Sequence, residues 1–561
     1  MSERTLPLPP TSALDPATQA FPSLTPAQID RLHPYAKIRP VAAGEILFDV
    51  GDSAISMFVV LTGKLEIVQP YDQGERLVVS HDAGEFTGET NMISGRRSLV
   101  RGRVAEAGEF LEISPENLRS VIAKDAELSE IFMRAFILRR LALITRGFGD
   151  VVLMGSRHCG GTLRLREFLG RNGHPYTYID LDTDSQAQEL LDRFNVTVKQ
   201  VPVVVCRGKT VLRNPSVQEV ADCLGFNSPV DESTVRDVIV VGAGPSGLAA
   251  AVYAASEGLD VLVIETSAPG GQAGSSSKIE NYLGFPTGIS GMELANRALN
   301  QAQKFGAQMI IAHGVIKLIC DRRPYRIELD TGQKLTTRTV IIATGAQYNK
   351  PSIPNLGRFE GMGVYYGATN MEAQLCDNEE VIVVGGGNSA GQAAVYLSEN
   401  ATKVHMLVRS GQLADTMSRY LIQRIETNPK VEIYRNTEIV NLEGDFHLER
   451  ITRKNRQTGK VETRPIRHVF MMTGAAPNTA WLKDCVALDG KGFILTGHDL
   501  ETNGSISPLW HSRRAPLLLE TSLPGVFAVG DARAGNVKRV ASAVGEGSIS
   551  VHLVHSVLAE M

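Results

Sequence analysis

Two kinds of hydrophobic pattern divide the chain. From Phe21 to about Ser114 the apolar residues fall in short runs broken by glycine: AAGEILFDVGD, MFVVLTGKLEIV, RLVVSHDAGEF and LVRGRVAEAGEFLEIS. Evenly spaced short strands with glycine turns predict a small antiparallel barrel or jelly roll. LTPAQIDRL, ahead of them, reads as a short capped helix, and a helical stretch over 127–145 closes the region. From about 149 to 226 strands and helices alternate instead. VVLMGS is a strand, TLRLREFLGRNG a helix ending at glycine, PYTYIDLD a strand, SQAQELLDRFNV a second helix, VPVVVCRGKTVLR a hairpin and VQEVADCLGF a last helix. The order is β-α-β-α-β-β-α, and a polar linker, NSPVDESTVR, follows it.

Beyond the linker the runs become continuous and β-branched, as buried parallel strands require. Val238 to Val241 is such a run, followed by Gly242, Gly244 and Gly247 in G-x-G-x-x-G spacing, an Ala-rich helix that includes Ser246 at its start, and a second strand over Leu259 to Ile264. The first glycine permits a sharp turn, the second the approach of a pyrophosphate, and the third close packing of helix on strand. Glu265, 21 residues beyond Gly244, ends the second strand where a carboxylate takes the ribose hydroxyls of an adenosine. A second unit of this kind runs from Val381 to Val384 through Gly385, Gly387, Asn388, Ser389 and Ala390 (G-x-G-x-x-A) into the helix AAVYLSE and the strand KVHMLVRS. That strand ends on Arg409 and Ser410 rather than an acid, which suits a 2′-phosphate and hence NADP, or else leaves Arg409 as a solvated charge.

At 561 residues the chain is too long for one core. Its hydrophobic content of 43%, charged content of 21% and net charge of −4 are those of a globular protein with no reason to bind nucleic acid or an acidic membrane. The first residues lack the basic and apolar regions of a signal peptide, and no apolar run is long enough to span a bilayer. Six scattered cysteines (Cys159, Cys206, Cys223, Cys320, Cys376, Cys485) form no C-x-x-C, which argues for a reducing, cytoplasmic location and against both a disulfide framework and a metal site.

Three resemblances add to this reading. Gly44-Glu45, Gly51-Asp52, Met57 to Val60, Gly63 and Phe86-Thr87-Gly88-Glu89 resemble a cyclic-nucleotide-binding domain. That likeness implies a ligand site at Gly88, Glu89, Arg97 and Ser98, with Glu89 on the ribose and Arg97 on the cyclic phosphate. The other reading is a jelly roll used only for docking. Residues 149–226 resemble a thioredoxin or glutaredoxin fold, in which Cys159-Gly160-Gly161-Thr162 stands at the active-site position and Val201-Pro202 at the cis-proline. Cys159 at a helix N-terminus is then either a reactive thiol or an incidental cysteine in a docking module. From Asp237 to the C-terminus the chain resembles the low-molecular-weight thioredoxin reductases. The residues that carry the likeness include Gly271-Gln272, Asn281, Thr344-Gly345, Gly474 to Thr479, Gly530-Asp531 and, at the flavin edge, Arg539-Val540-Ala541, with the last helix starting near Gly547.

This resemblance implies FAD and NADPH as cofactors, a homodimer, and a multidomain fold: tail 1–20, jelly roll 21–147, thioredoxin-like module 148–227, FAD domain 228–347 plus 475–561, and NADPH domain 348–474. Both positions of that family's redox C-x-x-C are changed, to Gly367 and Asn370. The expected function is an FAD-dependent NADPH oxidoreductase under the control of a cyclic nucleotide, delivering electrons to a thioredoxin-like protein or a small molecule. The alternative is a non-catalytic flavin sensor. A ligand-controlled transcription factor lacks its helix-turn-helix here.

Overall fold

The computed structural model describes residues 19–71, 74–145, 151–183, 197, 200–207, 210–413, 417–482, 484–502 and 505–561. The helix expected over 185–196 and most of the tail lie outside the described residues. The chain divides into two compact units, Met1–Asp150 and Val151–Met561.

In the first unit the glycine-punctuated runs become two antiparallel sheets. One has the order Lys37–Val41, Gly108–Ile113, Met57–Val60, and the other Ile46–Phe48, Arg101–Glu106, Lys64–Tyr71, Gly74–His81. Their facing sides bury Phe58, Phe86 and Phe110, and helix Ala126–Thr145 adds Phe132 and Phe136 to the same core. Gly102 has to be glycine, since a Cβ there would lie 2.5 Å from the Phe48 ring. The short helix Pro26–Asp30 starts at Thr25, whose hydroxyl accepts from the Gln28 amide while the Gln28 side chain accepts from the Thr25 amide.

The second unit opens with a four-stranded sheet in the order Thr210–Arg213, Val203–Cys206, Val151–Gly155, Thr177–Asp180, packed with helices Gly160–Arg171 and Val217–Leu224. Val201–Pro202 is cis, and the ring of Pro202 packs on the first turn of Gly160–Arg171, 3.0 Å from where a Cβ of Gly161 would stand. Next comes a larger sheet whose parallel part runs Gln308–Ile311, Val261–Glu265, Val235–Val241, Lys334–Ile342, Val526–Ala528. Its first strand begins earlier than the apolar run, at Val235, because Arg236 is buried and paired with Asp260 at 2.6 Å. A second parallel sheet, Val364–Tyr365, His468–Met471, Glu380–Val384, Lys403–Val408, Val431–Arg435, sits between the two halves of the first in sequence. The chain crosses between them on two short strands, Ala346–Tyr348 and Ala475–Pro477, which pair with each other. The last helix spans Val540–Ala559, so it starts seven residues ahead of the expected Gly547.

The four-stranded module is built into this unit. Ile311 and Ala312 of the larger sheet complete its core beside Phe168 and Phe226, and Leu163 joins the core of the second parallel sheet with Tyr365 and Cys376. Among the described residues, no helix is long and apolar enough to cross a membrane.

The cysteine reading needs one correction. Cys320 and Cys485 form a disulfide, 165 residues apart, so distant spacing in sequence says nothing against pairing when two halves of one domain return to the same core. Non-reducing peptide mapping is expected to recover the linked pair. Cys485→Ser is expected to lower the unfolding free energy by about 2–4 kcal/mol, measured by denaturant melting.

Candidate cofactor sites

The glycine loop after Val235–Val241 is fixed by contacts that exclude side chains. A Cβ on Gly242 would stand 2.3 Å from the Ala343 carbonyl oxygen, and one on Gly247 would stand 1.9 Å from that of Gly242. Gly244, by contrast, caps helix Pro245–Ser256 and has no atom nearer than 3.9 Å to its Cβ position, so the helix N-terminus opens on free space. That space is a cavity of about 710 Å³, well inside the range of small-molecule sites.

Glu265 lies in its wall, buried, with one carboxylate oxygen accepting from the Ala243 amide at 2.8 Å and the other from the Ser267 amide at 3.0 Å. Burial raises its pKa, and these two amides together with the Arg171 guanidinium oppose the rise. Asp531, which lines the same cavity, has its pKa likewise raised by burial, with Lys538 opposing the rise.

The cavity gathers most of the residues expected for FAD: Gly242, Gly244, Ser246, Glu265, Gly271, Gln272, Asn281, Thr344, Gly345, Asp531, Arg539 and Val540. Gln272 donates to the Ala346 carbonyl at 2.6 Å, and the Thr344 hydroxyl is buried with no protein partner. Gly247 and Gly530 shape the wall from behind; a Cβ on Gly530 would meet the Ser246 hydroxyl at 2.6 Å. Ala541 belongs to the first turn of the last helix and does not line the cavity.

Asn388 and Ser389, from the second glycine loop, line the same cavity, as does Tyr348 of the crossing strand. The two dinucleotide units therefore face one another across one space. Gly385 and Ala390 pack the loop from inside, with a Cβ on Gly385 placed 2.4 Å from the Met472 carbonyl oxygen, and Gly387 caps helix Asn388–Leu397. Arg409 and Ser410 lie exposed at the end of strand Lys403–Val408, outside the cavity.

Cavity residues that sequence reasoning missed include Arg171, Tyr348, Gln392 and Trp481. Gln392 was within reach, lying one helical turn beyond Asn388. Nothing in the local pattern marks Arg171.

The thiol chemistry is sparse. Cys159 caps helix Gly160–Arg171 but does not line the cavity. Cys376 is buried, its thiol donates to the Glu372 carbonyl at 3.1 Å, and burial among Glu379, Glu372 and Asp377 pushes its pKa up.

In the first unit a mostly apolar cavity of about 250 Å³ is lined by Gly88, Glu89 and Ser98. Arg97, the residue expected to meet the phosphate, is exposed and does not line it. The turn at Gly95 (φ 71°) directs Arg96 inward instead, where burial and Arg140 lower its pKa to about 10 against the pull of Glu89. Arg140 pairs with Glu89 at 3.2 Å. Arg139 lines the cavity, donates to the carbonyls of Ala20, Phe86 and Gly88, and keeps one buried NH₂ without a protein partner.

With this geometry in hand, comparison with known proteins is direct. Residues 236–547 match the family described as pyridine nucleotide-disulphide oxidoreductase, and the chain belongs to it. It is an FAD-dependent NADPH oxidoreductase of the thioredoxin-reductase type. Residues 38–125 match the cyclic nucleotide-binding domain and 151–211 match glutaredoxin. The thioredoxin reductase of Bacillus subtilis is 32% identical over 59% of this chain and 98% of its own length. That of Treponema pallidum is 34% identical over 58% of this chain and 97% of its own. Among solved structures, Lactococcus lactis thioredoxin reductase in its FR conformation is similar with a TM-score of 0.52 and 27% identity, over 58% of this chain and all of that one.

The raised pKa of Glu265 has a signed consequence for the apoprotein. A carboxylate that is harder to ionise when folded leaves the native state holding more protons, so its contribution to stability falls as pH rises from the ordinary glutamate value through the raised one. The stability difference between parent and Glu265→Gln apoproteins is therefore expected to decline with pH above about 4.5, by no more than about 1.4 kcal/mol per unit, in urea melts.

Proposed function

We propose that FAD occupies the large cavity with its adenosine diphosphate on the loop Gly242–Gly247, and that NADPH enters from the side of Asn388 and Ser389. The observation that carries this is the single cavity lined by both glycine loops. Bound, the two cofactors supply the hydride chemistry, and the chain supplies position. The helix starts at Gly244 and Gly387 turn unpaired amides and the positive ends of their dipoles toward phosphate. Glu265, held by two amides, accepts from ribose hydroxyls. Arg409 sits in solvent where a 2′-phosphate emerges.

Electron exit is the finer point. Positions 367 and 370 are Gly and Asn, the Cys376 thiol is buried and hard to ionise, and Cys159 stands off the cavity. In this reading electrons leave the flavin directly for an outside acceptor, a small molecule or a disulfide of a thioredoxin-like protein. An anaerobic titration tests it. NADPH is expected to bleach the flavin at lower concentration than NADH, with Arg409→Ala narrowing the gap roughly tenfold, and no long-wavelength thiolate–flavin band should appear. Cys376→Ser should leave turnover unchanged; loss of thioredoxin reduction in that variant would show a thiol relay instead.

The first-unit cavity is the regulatory site in this reading, taking a cyclic nucleotide. Glu89 is its acid and Arg139, rather than Arg97, the cation in its lining. Calorimetry with cyclic AMP and cyclic GMP should register binding, and the bound nucleotide should change NADPH turnover. Neither heat nor a change in rate would leave the domain as a docking module.

A further inference from the structure

Helix Gly160–Arg171 belongs to the glutaredoxin-like module, ahead of the residues that match the oxidoreductase family. Its last residue nevertheless lines the cofactor cavity. The Arg171 guanidinium donates through Nη2 to the Gly271 carbonyl at 2.8 Å and to that of Ala268 at 3.2 Å, while Nη1 meets Glu167 at 3.2 Å. Nε is buried with no protein partner. The side chain is 16% exposed, so the charge is held in place rather than solvated. The neighbouring Asn172 donates to the Ser267 carbonyl at 3.3 Å, so the end of the helix is fastened to the whole turn that follows Glu265.

That turn is where the adenosine ribose and diphosphate lie when Glu265 takes the ribose hydroxyls. Of the other cations that line the cavity, Lys538 stands close enough to Asp531 to lower its pKa. A dinucleotide carries two negative charges on its diphosphate. A fixed guanidinium with a free N–H on a partly desolvated wall is the group that pairs with them.

We propose that Arg171 is a cofactor-binding residue for the adenosine diphosphate half of FAD, supplied by the glutaredoxin-like module to the oxidoreductase site. The module is then part of the flavin site rather than an appended electron carrier. This rests on the placement of FAD proposed above.

The test uses full-length apoprotein, stripped of flavin with chaotrope and checked for fold by circular dichroism. FAD binding is followed by fluorescence quenching and ADP binding by calorimetry, for the parent, Arg171→Gln and Arg171→Lys. Arg171→Gln, which keeps amide donors for the two carbonyls but removes the charge, should weaken both FAD and ADP about tenfold or more. Arg171→Lys should recover part of the loss. Unchanged constants in Arg171→Gln overturn the proposal, and so does weakened FAD with unchanged ADP. A parent apoprotein that takes up neither ligand sinks the placement of FAD itself, an outcome read before any variant is made. If Arg171→Gln does not fold, hydrogen exchange on the parent decides. ADP should slow exchange at the C-terminal turn of helix Gly160–Arg171, and unaltered exchange there overturns the assignment.

Discussion

Gly247 backs onto the carbonyl of Gly242, and Gly242 backs onto Ala343, at separations no side chain tolerates. These contacts set how closely helix Pro245–Ser256 approaches the strands Val235–Val241 and Lys334–Ile342 that flank its start. The last helix leans on the same spot, since a Cβ on Gly547 would meet the Ser246 carbonyl oxygen at 2.2 Å. Chain segments some three hundred residues apart in sequence thus converge on one loop, and the amides at the start of that helix are held in place by packing. The cost of arranging them falls on folding, and binding gains accordingly.

Buried charge follows a consistent pattern across both units. Glu265, Arg236, Arg139 and Glu520 are nearly or fully inaccessible, and each has polar partners fixed by strands or helix ends. A charge taken out of water without such partners costs several kcal/mol. At Arg139 and Arg171, where one nitrogen has no protein partner, the group stands beside a cavity, whereas the unpartnered Nε of Arg236 lines neither cavity.

Much of this was legible in the sequence because it is local. Val238–Val241 with Gly242, Gly244 and Gly247 names its own strand, loop and helix, and the same holds for Gly385 to Ala390. The family likeness then identifies Gly271, Asn281, Thr344 and Asp531, and the cavity collects them. What escaped is set by contacts between distant segments. The neighbours Arg96 and Arg97 differ in burial, Arg97 being exposed while an NH₂ of Arg96 is buried, and nothing in the local sequence sets them apart. Arg171 looks like any cation near a helix C-terminus until Ala268 and Gly271 arrive beside it. Cys320 and Cys485 meet only after the inserted domain has been passed.

That last pairing gives the chain an unusual topology. Everything from Cys320 to Cys485, including both crossing strands and the whole second parallel sheet, lies on a covalently closed ring anchored in the larger domain. The inserted domain therefore hangs from its host by two strands whose flanks stay covalently linked, even when the insert itself is unfolded. Its freedom when unfolded is that of a tethered loop rather than a free chain. A protease that cuts within the ring opens a gap in the backbone without producing two separate molecules. The two halves of the host domain remain one covalent body while the domain between them folds and unfolds.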